Sequence, residues 1–104
     1  MKKFDSTDGS VTRNLKMIRW LKTELLTSIS ALFKLMLKNN KDRLLELLGN
    51  IIMATYLLAK RLGFSFQQVD RKLKQNLKRN ISKEHQIETW YGDLSSLSEH
   101  LDQN

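Results

Sequence analysis

The segment from Leu44 to Gly63 constrains the fold most, because it is the most apolar part of a lysine- and arginine-rich chain. Its sequence is LLELLGNIIMATYLLAKRLG, and the whole chain contains no proline to interrupt a helix. A helix that is apolar on nearly all sides packs against other elements. Its polar residues Glu46 and Asn50 lie one helical turn apart, so they project from the same face and need partners or a function.

The composition predicts one all-α domain over residues 11–104, preceded by a flexible arm of residues 1–10. Hydrophobic residues make up 40% and charged residues 28% of the 104-residue chain, and no alternating strand pattern occurs. The absence of cysteine excludes disulfides and thiolate metal sites and favours a cytoplasmic location. We expect no signal peptide, because the start MKKFDSTDGS contains an acid and polar residues in place of an apolar region. We expect no membrane span, because the longest run without a charge, Leu47 to Ala59, is too short and too polar.

Hydrophobic periodicity predicts a bundle of three main helices and a short fourth one. The first helix is expected from about Val11 to Lys38 and the second from Lys41 to Leu62. The asparagine pair before the second helix and the glycine after it are typical helix boundaries. Such a short connection makes these two helices antiparallel neighbours.

The third helix begins after Ser65, which forms a capping-box pattern with Gln68, and ends near Ile81. In the tail, Trp90, Tyr91 and Gly92 indicate a turn before a short helix capped by Asp93. The apolar stripes of a bundle this small exceed what the bundle itself covers. We therefore expect a homo-oligomer, most simply a dimer.

Paired carboxylates are the candidate catalytic chemistry, since the chain has no cysteine and no glycine-rich phosphate loop. Glu24 in the first helix and Glu46 in the second face each other at one depth if the helices are antiparallel, and acidic pairs of this kind bind Mg²⁺. The alternative is that both are surface residues that bond nearby lysines.

The net charge of +7 is compatible with nucleic acid, an anionic surface or a phosphorylated ligand. The third helix is especially basic, and three interpretations stay open for it. It is a solvated face, a surface for a nucleotide's phosphates, or a nucleic-acid surface. Nucleic acid is the less favoured of the two ligands, because no tyrosine or tryptophan lies among the basic residues.

From Leu45 to Asn80 the sequence resembles the MazG-like family of all-α nucleotide pyrophosphohydrolases. The matching text is LELLGNIIMATYLLAKRLGFSFQQVDRKLKQNLKRN. It combines an apolar helix, a Leu-Gly step and a basic helix with the family pattern K-L-x-x-N-x-x-R. The tail TWYGDLSSL resembles the small MazG-like proteins of spore-forming bacteria.

The resemblance implies a helical bundle in which two acids from each of two helices bind Mg²⁺. An activated water then converts a nucleoside triphosphate to monophosphate and pyrophosphate. By position, the family's acids fall on Leu25 and Ser28 in the first helix and on Leu47 and Asn50 in the second. Leucine cannot bind Mg²⁺, and asparagine offers only a neutral oxygen.

The resemblance leaves two sets of candidate site residues. Glu24 and Glu46 each precede a lost acid, so the candidate ligands of a weak or absent Mg²⁺ site are Glu24, Glu46 and Asn50. Lys72 and Asn76 match the family pattern, and the candidate phosphate-binding residues are Lys72, Asn76 and Arg79.

Three functional hypotheses follow. The first is a degenerate MazG-like module that binds a nucleotide, another phosphorylated ligand or a protein partner and has lost hydrolysis. The second is an active Mg²⁺-dependent pyrophosphohydrolase with a reorganised site. The third is a basic helical protein that binds nucleic acid in a steeply salt-dependent way.

Overall fold

A computed structural model describes residues 2–83 and 86–103, with side chains from Gly9 onward within these ranges. Every regular element in these ranges is an α-helix, which confirms the all-α prediction. The residues fall into two compact units, divided between Ser65 and Phe66. Unit 1 contains α1 (Lys2–Leu35) and α2 (Lys41–Arg61); unit 2 contains α3 (Phe66–Ser82), α4 (Gln86–Tyr91) and α5 (Asp93–Asp102). The assignment of residues 11–104 to a single domain stays a prediction.

Helix α1 begins at Lys2, well before the predicted start at Val11. Residues 2–10 contain no proline, and a single glycine costs a helix only about 1 kcal/mol, so nothing in the sequence forces a break there. Arg13 Nε donates to the carbonyl oxygen of Gly9 along the same helix. The flexibility assigned to residues 1–10 stays a prediction, and Met1 lies outside the described residues.

Helix α2 has the boundaries that the sequence predicts. Asn40 is its N-cap, and the Asn40 side chain accepts a hydrogen bond from the backbone N–H of Arg43. At the other end, Gly63 has φ of 99°, a left-handed conformation that glycine adopts without penalty. The N–H groups of Gly63 and Phe64 donate to the carbonyls of Lys60 and Ala59. This is the Schellman pattern, which satisfies the last carbonyls of the helix.

The core of unit 1 is the interface between antiparallel α1 and α2. Leu21 on α1 and Leu47 and Ala54 on α2 are buried, together with Ser28 on α1. At the end opposite the connecting turn, the Asn14 carboxamide donates to the backbone carbonyl of Arg61 at 3.0 Å. The Arg61 guanidinium donates back to Asn14 Oδ1, so this end of the helix pair is joined by two hydrogen bonds.

Unit 2 is built on α3, which packs against α5. Leu77 is the buried residue of α3. Lys74 on α3 and Asp102 on α5 form an ion pair of 3.4 Å between exposed side chains. A pair as exposed as this one contributes about 0–1 kcal/mol.

The tail forms two short helices instead of the single one predicted. Trp90 and Tyr91, which the sequence analysis placed in a turn, are the last two residues of α4. The turn consists of Gly92 alone, which has φ of 67° and precedes the first residue of α5, Asp93. A six-residue helix spans too few turns to show a hydrophobic period, so the sequence pattern could not reveal it.

A carboxylate of α4 caps the N-terminus of α5. The Ser95 backbone N–H donates to Glu88 Oε1 at 2.9 Å, and the Ser95 hydroxyl donates to Glu88 Oε2. The hydroxyl bond is the larger cause, and the backbone bond the next, by which the pKa of Glu88 is lowered from its usual value. The charged form of Glu88 is therefore favoured by the folded tail.

Within the described ranges, no single helix is long and apolar enough to cross a membrane. Helices α2 and α3 reach the necessary length and composition only when they are taken together across the break between them.

We predict that Glu88→Gln lowers the free energy of unfolding at pH 7 and has no effect at low pH. A group with a lowered folded pKa stabilises the protein above its unfolded pKa of about 4.3, and this stabilisation disappears as the pH falls through the folded pKa. Urea unfolding of wild type and variant between pH 7 and pH 2.5 measures the difference.

Glu99→Gln is the matched control for this experiment. Glu99 is exposed on α5, and its side chain forms no hydrogen bond or ion pair with the described residues. It should follow the wild-type curve. A Glu88→Gln deficit of the same size at pH 2.5 and pH 7 would contradict the capping role of the charged carboxylate.

Candidate functional site

The hydrogen bonds between Asn14 and Arg61 fix the register of α1 on α2. Leu25 on α1 and Asn50 on α2 are equally many residues away from Asn14 and Arg61, respectively, so they correspond to each other. Ser28 and Leu47 correspond in the same way. In an antiparallel pair such residues lie at about the same level along the two helices. The four positions at which the resemblance places the family's acids are therefore opposite one another.

These positions form part of the core instead of an ion-binding site. Leu47 is 3% exposed and Ser28 is 5% exposed. Leu25 and Asn50 are half-buried beside them. A leucine side chain has no atom that can coordinate Mg²⁺, and a hydroxyl and an amide supply only neutral oxygens. At the level where the resemblance places the four acids, Leu47 and Ser28 are therefore packed in the helix interface.

The candidate metal ligands are separated in this register. Glu24 lies at about the level of Ile51, whereas Glu46 lies at about the level of Ile29. The offset along the helices is about one and a half turns, or about 7.5 Å. In this register Glu24 and Glu46 are not directly opposite each other.

Glu46 has a partner of the ordinary surface kind. Its carboxylate forms an ion pair with Arg43, one turn earlier on α2, and both side chains are about half exposed. Such a pair contributes about 0–1 kcal/mol. Glu46 therefore matches the alternative interpretation of a surface acid bonded to a nearby cation, and Arg43 is that cation.

The residues present do not fit a Mg²⁺ site. In residues 2–83 and 86–103, no three His, Cys, Asp or Glu side chains come close enough to hold a metal ion. Mg²⁺ in a protein site needs several hard, preferably anionic, oxygens in octahedral geometry. Asn50 adds one neutral oxygen, and Glu46 is engaged by Arg43.

The candidate phosphate-binding residues lie together on α3. Lys72, Asn76 and Arg79 are spaced four and three residues apart, so they share one face of the helix. Arg79 Nη2 donates to Asn76 Oδ1 at 2.7 Å, which holds the guanidinium beside the carboxamide. Lys72 is exposed and forms no ion pair with the described residues. The face offers an anion two cations, one of them already oriented.

A second cationic cluster was missed by the sequence analysis. Lys34 and Lys38 on the α1 side and Arg43 on the α2 side line one groove near the connection of the two helices. The sequence signal was the four-residue spacing of the lysines just before the asparagine pair. That signal is indistinguishable from a solvated helix face until the antiparallel partner brings Arg43 beside it.

Comparison with known proteins gives one match. The model of the MazG-like family matches residues 11–94, which is most of the chain. No curated protein and no solved structure matches. The family match includes α2 and α3 in full and ends within α5.

We predict that Leu47→Glu, which restores the family's acid at this position, lowers the free energy of unfolding by about 3 kcal/mol or more. The substitution removes a buried apolar side chain from the helix interface and places a carboxylate there that loses most of its contact with water. Urea denaturation at pH 7 measures the change.

Leu26→Glu is the control, because Leu26 is 73% exposed on α1. The same chemical change there should alter the free energy of unfolding by less than about 1 kcal/mol. Equal effects of the two substitutions would show that Leu47 does not belong to a closed core.

Proposed function

The chain belongs to the MazG-like family, and we propose that it uses the fold of that family to bind a phosphorylated ligand without hydrolysing it. The ligand class is a nucleotide or another organic phosphate. The nucleotide pyrophosphohydrolase-like fold follows from the family match. The loss of hydrolysis is the part that this proposal adds.

The burial of Leu47 and Ser28 is the observation that supports the loss of hydrolysis most directly. Hydrolysis in this family, as the resemblance implies it, depends on Mg²⁺ that activates water and neutralises phosphate charge. Without a cluster of acids, this level of the helix pair lacks the anionic oxygens that bind Mg²⁺. A reorganised active site would need a new set of acids, and the described residues contain no group of three acidic or histidine side chains close enough to hold a metal ion.

Ligand binding is supported by the basic face of α3. A phosphate group is recognised by charge-assisted hydrogen bonds, which contribute about 1.5–3 kcal/mol each. Lys72 supplies a cation that forms no ion pair with the described residues, and Arg79 is held in place by Asn76. The same face would also attract nucleic acid, but no tryptophan or tyrosine lies among its cations to stack on bases.

A homodimer is the partner that unit 1 supports best. Leu45, Leu48 and Ile52 form a stripe on α2 with exposures of 70%, 45% and 59%. Their spacing of three and four residues places them on one face, away from the side that buries Leu47. Apolar stripes of this kind typically pack against another helix. The absence of cysteine supports a cytoplasmic location for this dimer.

We predict that the full-length protein binds nucleoside triphosphates in EDTA and releases no pyrophosphate from them in Mg²⁺ or Mn²⁺. Binding should weaken by at least tenfold in Lys72→Gln/Arg79→Gln, because each substitution removes a charge-assisted bond of about 1.5–3 kcal/mol and about 1.4 kcal/mol is already tenfold. Isothermal titration calorimetry measures the affinity, and a coupled pyrophosphate assay over a panel of NTPs and dNTPs measures turnover.

The control for binding is Lys16→Gln/Lys22→Gln, which removes two exposed cations of α1 and should leave the affinity almost unchanged. The control for turnover is Glu24→Gln and Glu46→Gln. Metal-dependent turnover that collapses in these two variants would establish the active enzyme in place of the binding module. Binding that falls steeply with salt and does not distinguish nucleotides would favour the nucleic-acid hypothesis.

For the dimer, we predict that Leu48→Glu/Ile52→Glu converts a dimer into a monomer in sedimentation velocity experiments. Two carboxylates in an apolar helix contact remain unpaired and desolvated, which opposes association. Leu26→Glu, on the other helix, should leave the dimer intact. If Leu48→Glu/Ile52→Glu stays dimeric and Leu26→Glu becomes monomeric, the dimer interface lies on α1 and not on α2.

A further inference from the structure

An open groove of about 250 Å³ lies beside the connection between α1 and α2. Its floor is apolar, and every polar residue that lines it is a cation. The floor residues are Ala31, Leu35 and Leu47, and the cations are Lys34, Lys38 and Arg43. No acidic residue lines the groove. Leu47 therefore contributes both to the buried helix interface and to the floor of this groove.

The cations of the groove are available to an external anion. Lys34 lies in the last turn of α1 and Lys38 follows the end of that helix, and neither forms an ion pair with the described residues. Arg43 is paired with Glu46, but both side chains are about half exposed, and such a pair opens readily. Three cations around one concave surface repel one another unless an anion lies between them.

We propose that this groove binds a small organic phosphate directly, without a metal ion. The phosphate group contacts Lys34, Lys38 and Arg43, and its organic group covers the apolar floor. A phosphate monoester has about two negative charges and three strong acceptor oxygens, which matches three cationic donors better than a carboxylate does. Ligand pockets typically enclose about 300–1,000 Å³, so a groove of this size suits a small ester and not a polymer.

This site is separate from the basic face of α3, and the proposal does not depend on binding there. It differs in kind from the arrangement that the family resemblance implies, in which acids hold a cation and the cation holds the phosphate. Among the described residues, no acid lines the groove beside Leu47, and its two lysines form no ion pair. Direct recognition by cations needs no Mg²⁺ and should therefore be insensitive to EDTA.

The test is isothermal titration calorimetry of the full-length protein in EDTA with three probes. Phenyl phosphate has both the anion and an apolar group, inorganic phosphate has only the anion, and phenol has only the apolar group. We expect phenyl phosphate to bind at least tenfold more tightly than inorganic phosphate, and phenol not to bind. Amide shifts in NMR spectra should map the site to residues 34–47.

Lys34→Gln/Lys38→Gln should weaken phenyl phosphate binding at least tenfold. Lys16→Gln/Lys22→Gln removes the same charge from the exposed surface of α1 outside the groove and should leave the affinity within twofold of wild type. Circular dichroism checks that both variants keep their helices; these are exposed lysines, so folding should not depend on them.

The proposal is overturned if wild type does not bind phenyl phosphate or if the groove and control variants lose equal affinity. It is also overturned if Lys72→Gln/Arg79→Gln abolishes phenyl phosphate binding while Lys34→Gln/Lys38→Gln does not. That last result would leave the binding function assigned to α3 intact, so the two proposals fail separately.

Discussion

The contact between α1 and α2 is the interaction on which the rest of unit 1 depends. Leu21, Leu47 and Ala54 are buried in it, and the two hydrogen bonds between Asn14 and Arg61 set its register. Because the helices are antiparallel and joined by a short connection, one fixed pair determines which residues meet along the whole length. This register determines which residues lie at the level where the resemblance places the metal site. It also determines which residues line the groove and which apolar residues of α2 stay exposed.

The ligand binding that we propose depends on cationic side chains and not on a bound metal ion. All 18 lysines and arginines of the chain lie at or before Lys83, whereas residues 84–104 contain five of the 11 acidic residues. One of these acids, Asp102, pairs with Lys74, so the tail neutralises part of α3. Lys72 and the groove lysines have no such partner among the described residues. The phosphate-binding surfaces that we propose therefore use cations directly and do not need Mg²⁺.

The sequence predicted well what depends on local chemistry. The Asn40 cap and Gly63 set the ends of α2, and the amphipathic stripe set α3, because each is decided within a few residues. The predicted start of α1 was wrong. Residues 2–10 are polar, but they contain no strong helix breaker, and the helix extends through them. The link between Glu88 and Ser95 was not predicted, because it crosses a turn at Gly92 and joins two helices too short to show a period.

For the site, the family resemblance placed the metal-binding acids on positions that include Leu47 and Ser28, and the structure shows that both residues are buried. Residue identity alone shows that Leu47 cannot bind Mg²⁺, but only packing shows that it is buried opposite Ser28. The level of Glu24 relative to Glu46 depends on the register of two helices, which periodicity within each helix cannot fix. The groove could not be predicted from the sequence for the same reason, because its lysines and Arg43 lie on opposite sides of the connection between the two helices.

We infer that the packing of Leu47 and Ser28 leaves no Mg²⁺ site between α1 and α2, and thermal unfolding of the wild-type protein with increasing MgCl₂ tests this inference. A ligand that binds only the folded state raises the stability by RT ln(1 + [L]/Kd), so a retained site with Kd of about 0.1 mM would add about 2.7 kcal/mol at 10 mM Mg²⁺. We predict that the Tm is the same in MgCl₂ and in a salt control of equal ionic strength. A Tm that rises with Mg²⁺ beyond that control, and saturates, would contradict it.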